Sequence, residues 1–286
     1  QELRRNLPYK LTGAQELSIA EILADLQKST AMNRIVQGDV GSGKTVVALI
    51  AAAIAIANGV QVAMMAPTDI LARQHLRRAQ EFFADLPIRL THLAGSQSAA
   101  ERRETLEALA TGQTDLVIGT HALFPAGVKF KDLGLIIVDE EHKFGVEQRQ
   151  ALLNLGRDPH LLAMTATPIP RTLAHAFFGD RDLTIISEKP PGRKPIRTAL
   201  RDRTRTWRIY EYVRKRVEEN KEQAYFVFPL VEASEAVENR RNVIDAAQEL
   251  ANGPFKGLRV GILHGRMDPD AKDQVMQRFA AGELDI

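Results

Sequence analysis

"QGDVGSGKTV", Gln37 to Val46, lies between a short apolar run, "RIVQ" (Arg34–Gln37), and a long alanine-rich helical pattern, Lys44–Ala57. Gly38, Gly43, Lys44 and Thr45 fit the spacing G-x-x-x-x-G-K-[ST] in the strand, loop, helix context where that spacing carries chemistry. The glycines let backbone N–H groups converge on phosphate oxygens, with the positive end of the following helix behind them. Gly38, Asp39, Val40, Gly41, Ser42, Gly43, Lys44 and Thr45 are therefore the candidate nucleotide-binding residues. Lys44 is expected to reach the β and γ phosphates and Thr45 to ligate Mg2+. Unrelated ATPases and GTPases share such a loop, so the use made of the nucleotide has to be read from the rest of the chain.

Working outward, short runs rich in Val, Ile and Leu alternate with helical patterns, the sign of a parallel sheet wrapped by crossover helices. Further strands are expected at Val60–Ala66, Ile88–Leu93, Asp115–Thr120, Leu133–Asp139 and Leu161–Ala166. Helices are expected near Ala14–Gln27, Ile70–Ala84, Ala99–Ala110, Val146–Leu155 and Pro170–Phe178. "SEKPPGRKPIRT" (Ser187–Thr198) then interrupts the alternation with three prolines and a glycine, which favour an extended connector. The alternation resumes with strands at Ile196–Arg201, Ala224–Leu230 and Leu258–Leu263 and helices at Thr206–Glu219, Val237–Ala251 and Pro269–Ala281. The expected fold class is α/β, with two lobes at 1–189 and 190–286. "GELDI" reads as a turn entering another strand, and with Gln1 in first place this suggests a piece of a longer polypeptide whose second lobe is incomplete.

A phosphate loop needs a carboxylate for the metal, and the apolar run "LIIVDEEH" presents Asp139 at the sheet's carboxyl edge. Glu140 follows, placed to orient and deprotonate an attacking water. Lys44, Asp139 and Glu140 are thus the candidate catalytic residues, with Thr45 and Asp139 as the metal ligands. No second His or Cys stands at metal-ligand spacing from His142, so no metal beyond magnesium is expected.

Composition narrows the classes. The chain has 286 residues, no cysteine and a net charge of +2, which excludes a disulfide framework and any thiolate metal site. The longest apolar run, Val46–Ala57, is shorter than the roughly 20 residues a membrane span needs. A cytoplasmic, monomeric protein without a membrane partner is expected. Basic residues matter to nucleic-acid binding only where they cluster. One cluster exists: Lys189, Arg193, Lys194, Arg197, Arg201, Arg203, Arg205, Arg208, Arg214, Lys215 and Arg216, opposed within that stretch by Glu188, Asp202 and Glu211. It is either a phosphate-attracting field or a solvated helix face.

"APTDILARQH" (Ala66–His75), "IGTHAL" (Ile118–Leu123), "DEEH" (Asp139–His142) and "MTATPIPRT" (Met164–Thr172) resemble, in order and spacing, motifs Ia, Ib, II and III of superfamily 2 helicases. The resemblance covers almost the whole chain and implies two RecA-like P-loop NTPase lobes with parallel sheets. It implies that Gln15 reads adenine and that His142, Thr165 and Thr167 couple the γ-phosphate state to movement. Thr68 and Thr120 match positions that hold the nucleic-acid backbone. Taken singly, Gln15 is equally a solvent-facing helix residue, Thr68 a helix N-cap, and Thr165 with Thr167 a cap on the turn before Pro168.

"GDVGSGKT", "DEEHKFGVEQR" and "TATPIPRTL" are similar to two groups in that superfamily, the branched-DNA helicase RecG and the transcription-repair coupling factor Mfd. "LPYKLTGAQ", "ISEKPPGRKPI" and "AYFVFPLVEASE" look like the RecG group, in which "LHGRM" (Leu263–Met267) opens second-lobe contacts with DNA. His264, Gly265 and Arg266 are the candidates there, against the alternative of a plain tight turn. The implied partners are branched DNA, replication forks and Holliday junctions, in repair and recombination. Motifs V and VI and the wedge domain of that group are not found, so the chain alone is expected to bind MgATP and turn it over poorly. An Mfd-like translocase and a DNA-binding module gated by nucleotide remain the competing readings.

Overall fold

The computed structural model describes residues 10–95, 97–120, 123, 128–141, 154–167, 181–188, 196–228 and 243–286. The chain divides into two compact units, Gln1–Lys194 and Pro195–Ile286.

In the first unit the elements run α1 (Gly13–Leu26), β1 (Asn33–Gly38), α2 (Lys44–Ala57), β2 (Gln61–Met65), α3 (Asp69–Phe82), β3 (Leu90–Leu93), α4 (Ala99–Thr111), β4 (Leu116–Gly119), β5 (Leu133–Asp139), β6 (His160–Thr165) and β7 (Asp182–Ile186). The strands form one seven-stranded sheet in the order β3-β4-β2-β5-β6-β1-β7. Every neighbouring pair is parallel. Side chains alternate across a pleated strand, and the two faces bury separate apolar clusters. Val62 and Met64 of β2 pack with Ile19, Val47 and Ala72 from α1, α2 and α3, whereas Ala63 and Met65 pack with Leu93, Leu109 and Ile136 on the face covered by α4. Both faces being covered explains why these strands read as continuous apolar runs.

The helices begin where the sequence supplies caps. Thr12 accepts from Gln15 N while the Gln15 side chain accepts from Thr12 N, and Ser98 with Glu101 repeats this reciprocal pair at α4. β7 was not expected. It is an edge strand paired with β1 alone among the described residues, with only Thr184 and Ile186 buried along its length. The expected helices Val146–Leu155 and Pro170–Phe178 lie wholly or mainly outside the described residues.

The second unit contains α5 (Thr206–Asn220), α6 (Val243–Asn252) and α7 (Pro269–Ala280). Leu250, Phe255 and Ile286 form its buried centre, against which Tyr210 and Phe226 pack, and the Tyr210 and Phe255 rings meet edge to face at 5.5 Å. The strands expected here are not formed as strands. Ala224 N donates to Asp285 O (3.0 Å) and Gly261 N to Ile286 O (2.7 Å), so extended segments lie on both sides of residues 284–286. Ile196–Arg201 has no regular secondary structure, with Ile196 and Leu200 strongly exposed, and residues 229–230 of the next expected strand lie outside the described residues.

Candidate nucleotide site

β1 ends at Gly38, and the chain turns through Gly41 (φ 77°) and Gly43 (φ 89°) into α2. Gly41 and Gly43 supply the left-handed backbone angles of the turn, and side chains pack closely against the loop. A Cβ on Gly43 would stand 2.1 Å from Gln15 Nε2, and one on Gly38 would stand 2.4 Å from Ser42 Oγ. α2 starts without a side-chain cap; Val46 N and Val47 N both donate to Gly43 O, so the N–H groups before them are the ones its own backbone cannot satisfy. Ser42 Oγ is buried without a hydrogen-bond partner among the described residues. Unfilled donors at the positive end of a helix suit an anion. Lys44 Nζ donates to the carbonyls of Gly38 (2.6 Å) and Asp39 (3.1 Å). Burial pushes the Lys44 ammonium below its usual range, partly offset by the carboxylates of Glu140, Asp139 and Asp39. Val40, Gly41, Lys44 and Thr45 line a cleft of roughly 520 Å³ together with Arg78 and Phe82 of α3.

The strand register brings the acidic residues to this loop. Gln37 of β1 stands opposite Thr165 of β6, and Met164 stands opposite Asp139 of β5. The phosphate loop, Thr165 and Asp139 therefore share the carboxyl edge of three adjacent strands. Glu140 has φ 50°, a left-handed conformation uncommon for a side chain of its size, and its Oε2 accepts from Ala166 N at 3.4 Å. Thr165 Oγ1 lies 2.6 Å from Thr167 Oγ1 and accepts from Thr167 N, so this pair does shape the turn after β6. His142 lies outside the described residues.

The metal expected at Thr45 and Asp139 would find one hydroxyl and one carboxylate, both oxygen donors. Among the described residues no group of three or more His, Cys, Asp or Glu forms a metal cage. Two protein oxygens beside a phosphate site fit Mg2+, which is commonly held by one or two protein groups together with substrate phosphates.

Three contacts here were not legible in the sequence. His75 Nε2 lies 2.7 Å from Asp139 Oδ2. Arg181, next to β7, donates to the buried Glu141 at 2.5 Å. Gln15 Nε2 donates to Ser42 O at 2.8 Å from a side chain that is 3% exposed, which overturns the solvent-facing alternative for Gln15.

The residues expected to meet nucleic acid fall into distinct settings. Thr68 is exposed and caps α3, accepting from Leu71 N. Thr120, directly after β4, is buried at 4% exposure. In the second unit, Met267 N donates to His264 O and Lys272 Nζ to Gly265 O, so the "HGRM" stretch is a turn leading into α7, with Gly265 and Arg266 exposed. The basic cluster is weaker than its sequence implies. Arg214 pairs with Glu218, Lys215 with Glu219 and Arg216 with Glu222, acids just beyond the stretch first counted. Arg214 also donates to the carbonyls of Pro254 and Lys256, a structural role. Lys189, Arg193 and Lys194 lie outside the described residues.

No helix among the described residues is long and apolar enough to cross a membrane. The DEAD/DEAH box helicase family matches residues 12–176. The ATP-dependent DNA helicase RecG of Thermotoga maritima is 45% identical over 286 residues, covering 100% of this chain and 36% of that protein. The RecG of Streptococcus pneumoniae is 48% identical over 281 residues, covering 98% and 41%. A solved structure of RecG bound to a three-way DNA junction has 42% identity and a TM-score of 0.78, covering 100% of this chain and 37% of that one. The chain thus spans about two-fifths of the length of the curated relatives it matches.

Proposed function

The chain belongs to the DEAD/DEAH box helicase family, and on that footing we propose that it is the ATP-binding motor portion of a longer RecG-type helicase that remodels branched DNA. The observation that carries this is the convergence of Lys44, Asp139 and Glu140 at one sheet edge, with the carboxylates close enough to act on the Lys44 charge. The phosphate-loop N–H groups and Lys44 would hold the nucleotide phosphates. Thr45 and Asp139 would hold Mg2+, which when bound neutralises the charge that develops on the transferred phosphoryl group. Glu140 would take the proton of the attacking water. Gln15 would contact adenine, and His142, Thr165 and Thr167 would relay the nucleotide state.

Residues 1–189 are read as the first motor lobe and 190–286 as part of the second. Thr68, His264, Gly265 and Arg266 are the DNA-backbone candidates. Thr120 stays in that set, although its side chain is buried here. The likeness to RecG along the whole chain, including a structure solved on a three-way junction, supports branched DNA as the partner. Fork reversal and junction migration in repair and recombination, by a monomer in the cytoplasm, complete the reading.

The test is strand separation of a synthetic Holliday junction and of a linear duplex by the full-length protein, with ATP and with a non-hydrolysable analogue. ATP-dependent processing of the junction in preference to the duplex is expected. Binding of DNA in an ATP-dependent way, with neither substrate processed, would replace the motor with a nucleotide-gated module.

A further inference from the structure

His75 sits on the buried face of α3 with Ala72 and Ala79, and is 5% exposed. Its Nε2 lies 2.7 Å from Asp139 Oδ2, and Asp139 is itself largely buried. An ionised carboxylate only accepts, so His75 Nε2 carries the hydrogen and donates. His75 Nδ1 is buried without a partner among the described residues, so the Asp139 bond is the polar contact that accounts for a histidine at this core position. A buried imidazole costs stability unless its polar atoms are satisfied, and Ala, Leu or Met would fill the same place on α3 without that cost.

We propose that His75 is a positioning residue for the magnesium carboxylate. By tying Oδ2, it fixes the rotation of the Asp139 side chain and leaves Oδ1 free of this bond for Mg2+. The proposal rests on the reading of Asp139 as the metal carboxylate. Groups that hold a ligating side chain in place typically affect metal affinity by about 10- to 100-fold, although they never touch the metal.

The test is a titration of Mg2+ against this chain with a fluorescent ATP analogue, for the wild type, His75→Phe and His75→Gln, with binding in excess chelator as reference. Phe keeps the ring volume and removes the donor, while Gln places an N–H near the position of Nε2. His75→Phe is expected to raise the Mg2+ concentration for half-maximal binding about tenfold or more, with metal-free binding unchanged, and His75→Gln to restore most of the difference. An unchanged Mg2+ requirement in His75→Phe would overturn the proposal. Equal loss of metal-free binding in both variants would also overturn it, by showing that His75 serves the fold. Failure of the wild type to bind the analogue at any Mg2+ concentration would instead remove the nucleotide-site reading on which the proposal stands.

Discussion

Gln15 Nε2 donates to the carbonyl of Ser42 at 2.8 Å, while Gln15 Oε1 accepts from Thr12 N at 2.9 Å. One buried amide thus joins the start of α1 to the phosphate loop and leaves no room for a Cβ on Gly43. Gln15→Ala should strand a buried carbonyl and open the capping pair. A loss of about 1–3 kcal/mol is expected, measured by denaturant unfolding, together with weaker ATP binding. Unchanged ATP affinity in a destabilised variant would show that the contact supports α1 without shaping the loop.

Lys44→Met should separate stability from ligand binding. Burial disfavours the Lys44 ammonium, so an apolar side chain of similar length is expected to leave the midpoint of the nucleotide-free protein within about 1 kcal/mol of wild type. The stabilisation by MgATP, about 2.7 kcal/mol at a hundredfold excess over Kd, should vanish in the variant. Thermal melts with and without MgATP check both halves.

Arg34 is buried and joins α1, β1 and β7 through Asp25 (2.6 Å), Glu21 (3.0 Å) and Thr184 (2.7 Å). Burial alone would raise the Asp25 carboxyl, but hydrogen bonds from Arg34 and Lys28 hold it below its ordinary value. A depressed carboxyl contributes stability above its unfolded pKa and loses it as pH falls through the folded one. Arg34→Met should therefore cost about 3–5 kcal/mol at pH 7 and progressively less as pH falls from about 4 through the lower folded pKa of Asp25, beneath which the carboxyl is protonated with or without its partner. Unfolding curves across that range check the sign. A penalty independent of pH would assign the loss to packing alone.

Glu140→Gln should leave MgATP binding near wild type while lowering turnover of the full-length protein by about 10²- to 10⁴-fold, the range for loss of a general base. Turnover close to wild type would move the base to another residue.

Periodicity and turn residues were enough to expect the sheet, because fully covered parallel strands are apolar along nearly their whole length, as β4 is throughout and β2 is after Gln61. They were enough for α2 as well, whose expected limits coincide with the observed Lys44–Ala57. β7 escaped because an edge strand of five residues with exposed Asp182 and Ile185 carries little apolar signal. The strands expected in the second unit have the composition of strands, but composition does not encode the pairing that makes a ladder.

At the site, local spacing pointed to the phosphate loop and to Asp139. The bond from His75 joins residues 64 positions apart, and the contact of Gln15 with Ser42 joins residues 27 apart. Such pairings depend on how helices cross the sheet, which no short motif encodes. The basic cluster stayed open between two readings for the opposite reason: Glu218 and Glu219, which pair with Arg214 and Lys215, stand one helical turn beyond them, and only a helical reading of charge reveals them.

The central claim is that ATP hydrolysis at this site is harnessed to branched DNA. Its most direct measurement is phosphate release from MgATP by the full-length protein on forked DNA, on linear duplex and without DNA, with Glu140→Gln as the control. Release that rises strongly on the fork, less on the duplex, and is lost with Glu140→Gln is the predicted result. Equal release on fork and duplex would contradict the branched-DNA assignment, and no release under any condition would contradict the motor itself.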